Sequence, residues 1–300
     1  MTRGRSANVA RMPQPCNGLA PEEMSDILRV RPQGALCNAE RIDALFARTA
    51  KVQYTRAVLF SSVVDLMGQV VLGIQPSVHA AYQAQADQLG VSDQAIYDKL
   101  NHVELGVSAE LVRDAARQAA PVIGELHAEL PPLVPGYRTK MLDGNHLAAS
   151  EHRLAELRRT WAAPLPGQIL VVLEQQPMLA TEVVLCEDGH AQERSLLGQV
   201  LPLVTQDDLW MADRNFCTVD FLGGIAARGG CFVIRQHGQL QGTLVGSRTY
   251  KGAIDTGKVY EQRIDLVNAQ GASIMASATP FWCCATPKHL TAKSGMISKP

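Results

Sequence analysis

Three hundred residues, 46% hydrophobic and 19% charged, make a chain long enough for two domains and too apolar for intrinsic disorder. A chain of this length buries roughly 75% of its unfolded surface. A net charge of −1 and a pI near 6.7 argue against a uniformly basic nucleic-acid binder, although nine Lys/Arg against five Asp/Glu over residues 1–60 leave room for a local basic face.

The cysteines at 16, 37, 186, 217, 231, 283 and 284 include no Cys-x-x-Cys pair, and the vicinal Cys283-Cys284 is no disulfide framework. Composition thus predicts a reducing, cytoplasmic setting. Arg3 and Arg5 are followed by no apolar segment, which argues against a secretory signal. The most apolar window, residues 57–74, contains Ser61, Ser62, Asp65 and Gln69, which suits a core helix and not a membrane span.

Residues 1–20 lack periodicity and are expected as a disordered start. Residues 21–131 read as a helical domain. Pro21 opens a helix with acids in its first turn. Ile42, Leu45 and Phe46 share a face between Asn38 and Ala50. A long apolar helix is expected over 55–73, stopped by Pro76, then another over 77–90 with Gly90 as its left-handed end. Ser92 is a natural N-cap for a helix with Ile96, Leu100 and Val103 inward. Two helices joined at Gly90 outline a helix-turn-helix, which as a DNA reader would turn Gln94, Tyr97, Asp98, Lys99 and Asn101 outward. An ordinary helical hairpin fits the same text. A last helix over 108–130 is ended by Pro131-Pro132, the expected domain boundary.

Beyond the prolines the period changes. Strands are expected at 137–142, 168–173, 180–186, 209–212 and 231–235, with helices at 192–204 and 218–227. This order predicts an α/β fold with a mixed sheet, its first three strands an antiparallel meander. Short β-like runs from about Gly242 to Ile274 suggest a β-rich insertion, and residues 275–300, without helical or strand period, read as unpacked.

Two stretches carry chemistry. In RTKMLDGNHL, Asp143 is expected at the end of a short strand, with Asp-Gly-Asn as the turn. In DDLWMADRNF, Asp213 closes a second apolar run. Two strand-end carboxylates offer the hard oxygens that Mg²⁺ or Mn²⁺ prefers, although Asp143 as a turn former and Asp213 as a helix cap read as well from spacing alone. His152, Arg153, Arg158, Arg159 and Arg214 suit phosphate contact or a solvated face equally. Asn145 and His146 read as supporting groups, Trp161 and Trp210 as core, and Glu187, Asp188 and His190 as turn-and-cap chemistry. No Gly-rich phosphate loop is present.

The segments MLDGNHLAASEHRLAELR, PLPGQILVVLEQQPMLATEVVLCEDGHAQERSLL and DLWMADRNFCTVDFLGGIAARGGCFVIRQH, with QPSVHAAYQAQADQLGVSDQAIYDKLNHVE and LVRDAARQ upstream, resemble the insertion-sequence-four transposases. The resemblance covers roughly residues 55–275. It implies a DDE transposase with a ribonuclease-H-like catalytic domain interrupted by a β-rich insertion. It also implies Asp143 and Asp213 as catalytic metal ligands, Mg²⁺ or Mn²⁺ as cofactor, double-stranded DNA at the element ends as partner, and a dimer on that DNA. The family's third acid lies in a helix with the pattern Tyr, two residues, Arg, three residues, Glu, six residues, Lys. Tyr260 and Arg263 have the first spacing, but Val267 and Ile274 stand at the Glu and Lys positions. The expectation is a copy truncated before its catalytic Glu, with little or no strand transfer. Two alternatives stay open: a non-catalytic DNA-binding fragment that inhibits an intact relative, and a decayed reading frame.

Overall fold

A computed structural model describes residues 38–53, 58–146, 167–186, 188, 191–237, 240, 242–254, 257–267, 273–279 and 282–285. The expected helix from Pro21, and the 1–20 segment, lie outside these residues.

The amino-terminal half is helical. Helix α1 (Ala39–Thr49) is capped by Asn38, whose side chain accepts from Arg41 N, and it buries the anticipated Ile42, Leu45 and Phe46. Helix α2 (Phe60–Val71) is shorter than expected. Phe46 stacks on Phe60 at 4.9 Å between centroids, and Val107 closes this small core. The expected helix over 77–90 is two short pieces, α3 (Val78–Gln83) and α4 (Ala86–Leu89), before Gly90 at φ 62°. Ser92 accepts from Ala95 N and starts α5 (Asp93–Asn101). Helix α6 spans Leu105–Glu125, with Pro121 inside it. It begins earlier than its apolar pattern suggested and ends well before Pro131-Pro132. No helix among the described residues is long and apolar enough to cross a membrane.

Glu104, just before α6, is the acceptor that ties the chain after α1 to this helix. Its carboxylate accepts main-chain N–H bonds from Lys51, Val52 and Gln53 at 2.9–3.1 Å. Those donors, Val52 first, hold the Glu104 carboxyl below its ordinary range. A depressed folded-state value means that this stabilisation is present above the usual carboxylate range and fades as pH falls through the lowered value. Glu104→Gln is expected to lose about 1 kcal/mol at pH 7 and to show a smaller loss of stability than wild type between pH 7 and pH 3, read from urea midpoints.

Helix α6 docks on the sheet. Arg113 Nε donates to both oxygens of Glu182 at 2.6 and 2.8 Å, a charge-assisted fork between helix and strand. On its other side Asp114, 7% exposed, pairs with Arg41 of α1. One helix therefore connects the helical core to the sheet through ions of both signs.

The second half forms one nine-stranded sheet. Its strands are β1 (Arg138–His146), β2 (Gln168–Glu174), β3 (Leu179–Cys186), β4 (Asp208–Ala212), β5 (Cys231–Arg235), β6 (Thr243–Ile254), β7 (Gly257–Val267), β8 (Ser273–Thr279) and β9 (Trp282–Ala285). The order is β3-β2-β1-β4-β5-β9-β8-β7-β6. The first three pair antiparallel, β1-β4 and β4-β5 pair parallel, and β9 returns antiparallel to β5. The α/β class and the opening meander are as expected. Between β3 and β4 the predicted helix is instead a 3₁₀ turn (Glu193–Leu196), one α-turn, α7 (Leu197–Val200), and a second 3₁₀ turn at Leu201–Leu203 containing Pro202. Helix α8 (Val219–Ala227), capped by Thr218, joins β4 to β5. Leu170, Val200, Trp210, Phe221, Leu222, Ile225, Phe232 and Ile234 form the main core. Each such side chain contributes about 1.5–3 kcal/mol on burial.

The stretch from about 242 is β-rich, as expected; its strands β6 and β7 are longer than the short runs in its sequence and are joined through β8 and β9 to β5. The segment read as unpacked from 275 instead contains the end of β8 and all of β9. Its sequence shows no period because small and polar residues alternate irregularly, and the ladder to β5 and β7 supplies the order instead.

Candidate functional site

Strands β1 and β4 run parallel, with Leu142 opposite Ala212 as their last paired residues. Asp143 and Asp213 are the next residue on each chain. They leave neighbouring strands at the same level, and strand spacing alone sets their backbones about 5 Å apart. Both are exposed. Seventy residues of sequence separation are thus reduced to one step across a sheet, at the carboxyl end of the parallel pair.

Each aspartate is held locally. Asp143 Oδ1 accepts from Gly144 N at 2.9 Å, and Asp213 Oδ1 accepts from Asn215 N at 2.8 Å. Asp213 caps the 3₁₀ turn Arg214–Phe216, so its cap reading and its strand-end reading are the same geometry. Asp143 departs from expectation. It does not end its strand: β1 runs on through Gly144 and Asn145 to His146, paired antiparallel with Val171, Leu170, Ile169 and Gln168 of β2. The long partner β2 supplies ladder bonds that outweigh the turn preference of Asp-Gly-Asn. Gly144 has no positive φ.

Gly144 has a close neighbour. A Cβ there would collide with the carboxylate of Glu193, from the turn after β3. Glu193 Oε2 accepts from Asn215 Nδ2 at 2.9 Å, and Arg194 Nε donates to Asn215 O at 2.8 Å. Sequence reading missed both residues. They lie within CEDGHAQERS, where Asp-Gly drew attention to the turn and not to the two charges after it.

Arg214 is exposed on the turn after Asp213. Arg153, Arg158 and Arg159 lie outside the described residues, as do His152, Trp161, Glu187 and His190 and the side chain of His146. Gln94 and Asn101 are exposed on α5, as expected. Lys99 is a correction: it is 9% exposed, its Nζ standing 3.8 Å from the centroid of the Phe46 ring. The cation–π contact and the burial of its alkyl stem draw it inward, and desolvation lowers its pKa. With Lys99 engaged inside, the exposed part of α5 offers Gln94, Asp98 and Asn101, with Gln94 Nε2 donating to Asp98 at 2.7 Å. That face has no cation for phosphate.

Trp210 is fully buried, as read. Burial pushes the Cys217 and Cys231 thiols up, so neither is a ready thiolate nucleophile. A cleft of about 260 Å³ between α6 and β3, lined among others by Ala109, Arg113, Glu182 and Leu203, includes neither aspartate.

Among the described residues no group of three or more His, Cys, Asp or Glu forms a metal-holding set. The aspartate pair does suit a hard cation. It presents two exposed oxygen donors one residue past the β1–β4 register, each with one oxygen held by a backbone N–H. Mg²⁺ commonly takes one or two carboxylates and completes its shell with water or phosphate. No family model and no curated protein matches the chain.

Proposed function

We propose that the chain is a transposase of the insertion-sequence-four type, with a ribonuclease-H-like catalytic domain that holds Mg²⁺ or Mn²⁺ at Asp143 and Asp213 and acts on the ends of its element in double-stranded DNA. The observation that carries this reading is the register of Leu142 on Ala212, which sets the two carboxylates on adjacent parallel strands. The strand order β3-β2-β1-β4-β5, antiparallel then parallel, with α8 between β4 and β5, supports the fold assignment.

Asp143 and Asp213 would hold the cation, whose chemistry there would be polarisation of a phosphodiester and a lowered pKa for attacking water. The chain's own residues do the rest. Asp143 and Asp213 supply negative charge that is fixed by Gly144 N and Asn215 N. Arg214, beside Asp213, is placed to meet a phosphate oxygen. Recognition of DNA is assigned to the surface around this sheet edge and not to α5, whose only lysine is buried. A dimer on paired ends is part of the proposal.

The spacing nearest to the family's third-acid motif, Tyr260 and Arg263, puts Val267 where Glu would stand, but in strand β7 and not in a helix, so the match is coincidental and residues 1–300 hold no such motif. A strand-end valine supplies no oxygen donor, and loss of one member of a jointly acting set is far from additive. The function proposed for these 300 residues is therefore binding of element ends with little strand transfer. A gel shift with the DNA that flanks the coding sequence, followed by incubation with Mg²⁺, tests it. The expected result is a shift specific for those ends with cleavage at background. Robust cutting that Asp143→Ala abolishes would overturn the low-activity part, and equal binding to unrelated DNA would overturn the end-binding part.

A further inference from the structure

Asp143 lies within β1 and Asp213 just past β4, and the ladder between these two strands ends one residue before each of them. The turn after β3 supplies a link. Glu193 lies across the edge with one carboxylate oxygen over the Cα of Gly144, next to Asp143, and the other accepting from Asn215 Nδ2 at 2.9 Å. Arg194 Nε donates to the main-chain oxygen of the same Asn215 at 2.8 Å. Asn215 N in turn donates to Asp213 Oδ1 at 2.8 Å. Asn215 is thus held at its side chain and its carbonyl by consecutive residues of opposite charge, and passes that constraint to Asp213.

We propose that Glu193 is a positioning residue that works through Asn215, bridging the two backbones that carry Asp143 and Asp213 and setting the separation of their carboxylates. Gly144 belongs to the same device. Its φ is compatible with alanine, and a Gly to Ala change inside a strand ordinarily favours the strand by lowering unfolded-state entropy. An alanine here would push aside the flexible end of the Glu193 side chain, which occupies the space of a Cβ. The hydrogen bond from Asn215 Nδ2 itself needs only an oxygen acceptor at 193.

This inference rests on the proposed metal site only for its consequence, and its test separates the two. Full-length wild type, Glu193→Ala, Glu193→Gln, Gly144→Ala and Asp143→Asn are compared by two readouts. The first is hydrogen exchange of the Asn215 amide, followed by NMR without metal. Glu193→Ala and Gly144→Ala should speed this exchange by about fivefold, the fold-change that one hydrogen bond of ordinary net strength supplies, and Glu193→Gln should restore it to within twofold. The second is Mn²⁺ titration followed by electron paramagnetic resonance. Glu193→Ala and Gly144→Ala should weaken Mn²⁺ binding several-fold and Glu193→Gln should recover it. Unchanged Asn215 exchange in Glu193→Ala overturns the positioning role whatever the metal does. Mn²⁺ binding as poor in Glu193→Gln as in Glu193→Ala also overturns it, because the carboxylate would then be a direct ligand. Mn²⁺ binding that Asp143→Asn leaves intact instead removes the metal-site reading, and the exchange result decides the bridge by itself.

Discussion

Asp208→Ala is expected to destabilise the sheet by about 3–5 kcal/mol, the cost of leaving a buried cation without its partner. Asp208 opens β4 and is 0% exposed. Its Oδ2 accepts from Thr205 N and Oγ1 at 2.8 and 2.9 Å and lies 3.0 Å from Lys140 Nζ, itself only 10% exposed. Arg138 Nη2 stands 3.0 Å from Oδ1 as a charge contact whose angle does not make a hydrogen bond. Removing the carboxylate leaves the Lys140 cation, 5.5 Å from the Trp210 ring, with the neutral Leu203 carbonyl at 3.2 Å in place of a counter-charge, and frees two Thr205 donors. Lys140 and Arg138 belong to β1, so the damage reaches the strand that carries Asp143. Urea unfolding followed by tryptophan fluorescence measures the loss. The double variant Lys140→Met with Asp208→Asn should recover part of it, since neither buried charge is then unpaired. Equal midpoints for wild type and Asp208→Ala would show the ion pair to be dispensable.

At the proposed metal site, Asn at either 143 or 213 should weaken Mn²⁺ binding by more than the roughly 10–100-fold that loss of a supporting group around a metal costs. The amide keeps shape and local hydrogen bonding: an Asn oxygen still accepts from Gly144 N or Asn215 N. Only the charge goes, so the unfolding midpoint without metal should barely move. Both single variants should resemble the double, because a cation shared by two carboxylates on neighbouring strands is released when either is neutralised. Calorimetric titration of the full chain with MnCl₂ distinguishes this from independent binding, in which the single losses would add to give the double.

Several elements could be read directly from spacing. Ile42, Leu45 and Phe46 lie at helical intervals, and Ser92 caps α5 as its position requires. The apolar runs at 168–173 and 231–235 give β2 and β5 almost residue for residue. These features are local, and local hydrogen bonding decides them. Other elements were altered by partners distant in sequence. The turn text Asp-Gly-Asn became strand because β2 offers it a ladder. Lys99 turned inward because the Phe46 ring lies above it. Residues 273–279 and 282–285 joined the sheet because β5 and β7 have edges to fill. Glu193 was illegible as a site residue because its two contacts, Gly144 and Asn215, lie 49 and 22 positions away in sequence.

The sequence by itself determined the α/β class, the helical first half and the identity of the two aspartates, because hydrophobic period and residue chemistry are properties of short stretches. The tertiary structure alone decided that those aspartates leave neighbouring strands, that Glu193 meets Asn215 and the space beside Gly144, and that β9 closes on β5. Each of these depends on the parallel pairing of β1 with β4 or on another long-range contact, whose register no short window of sequence encodes.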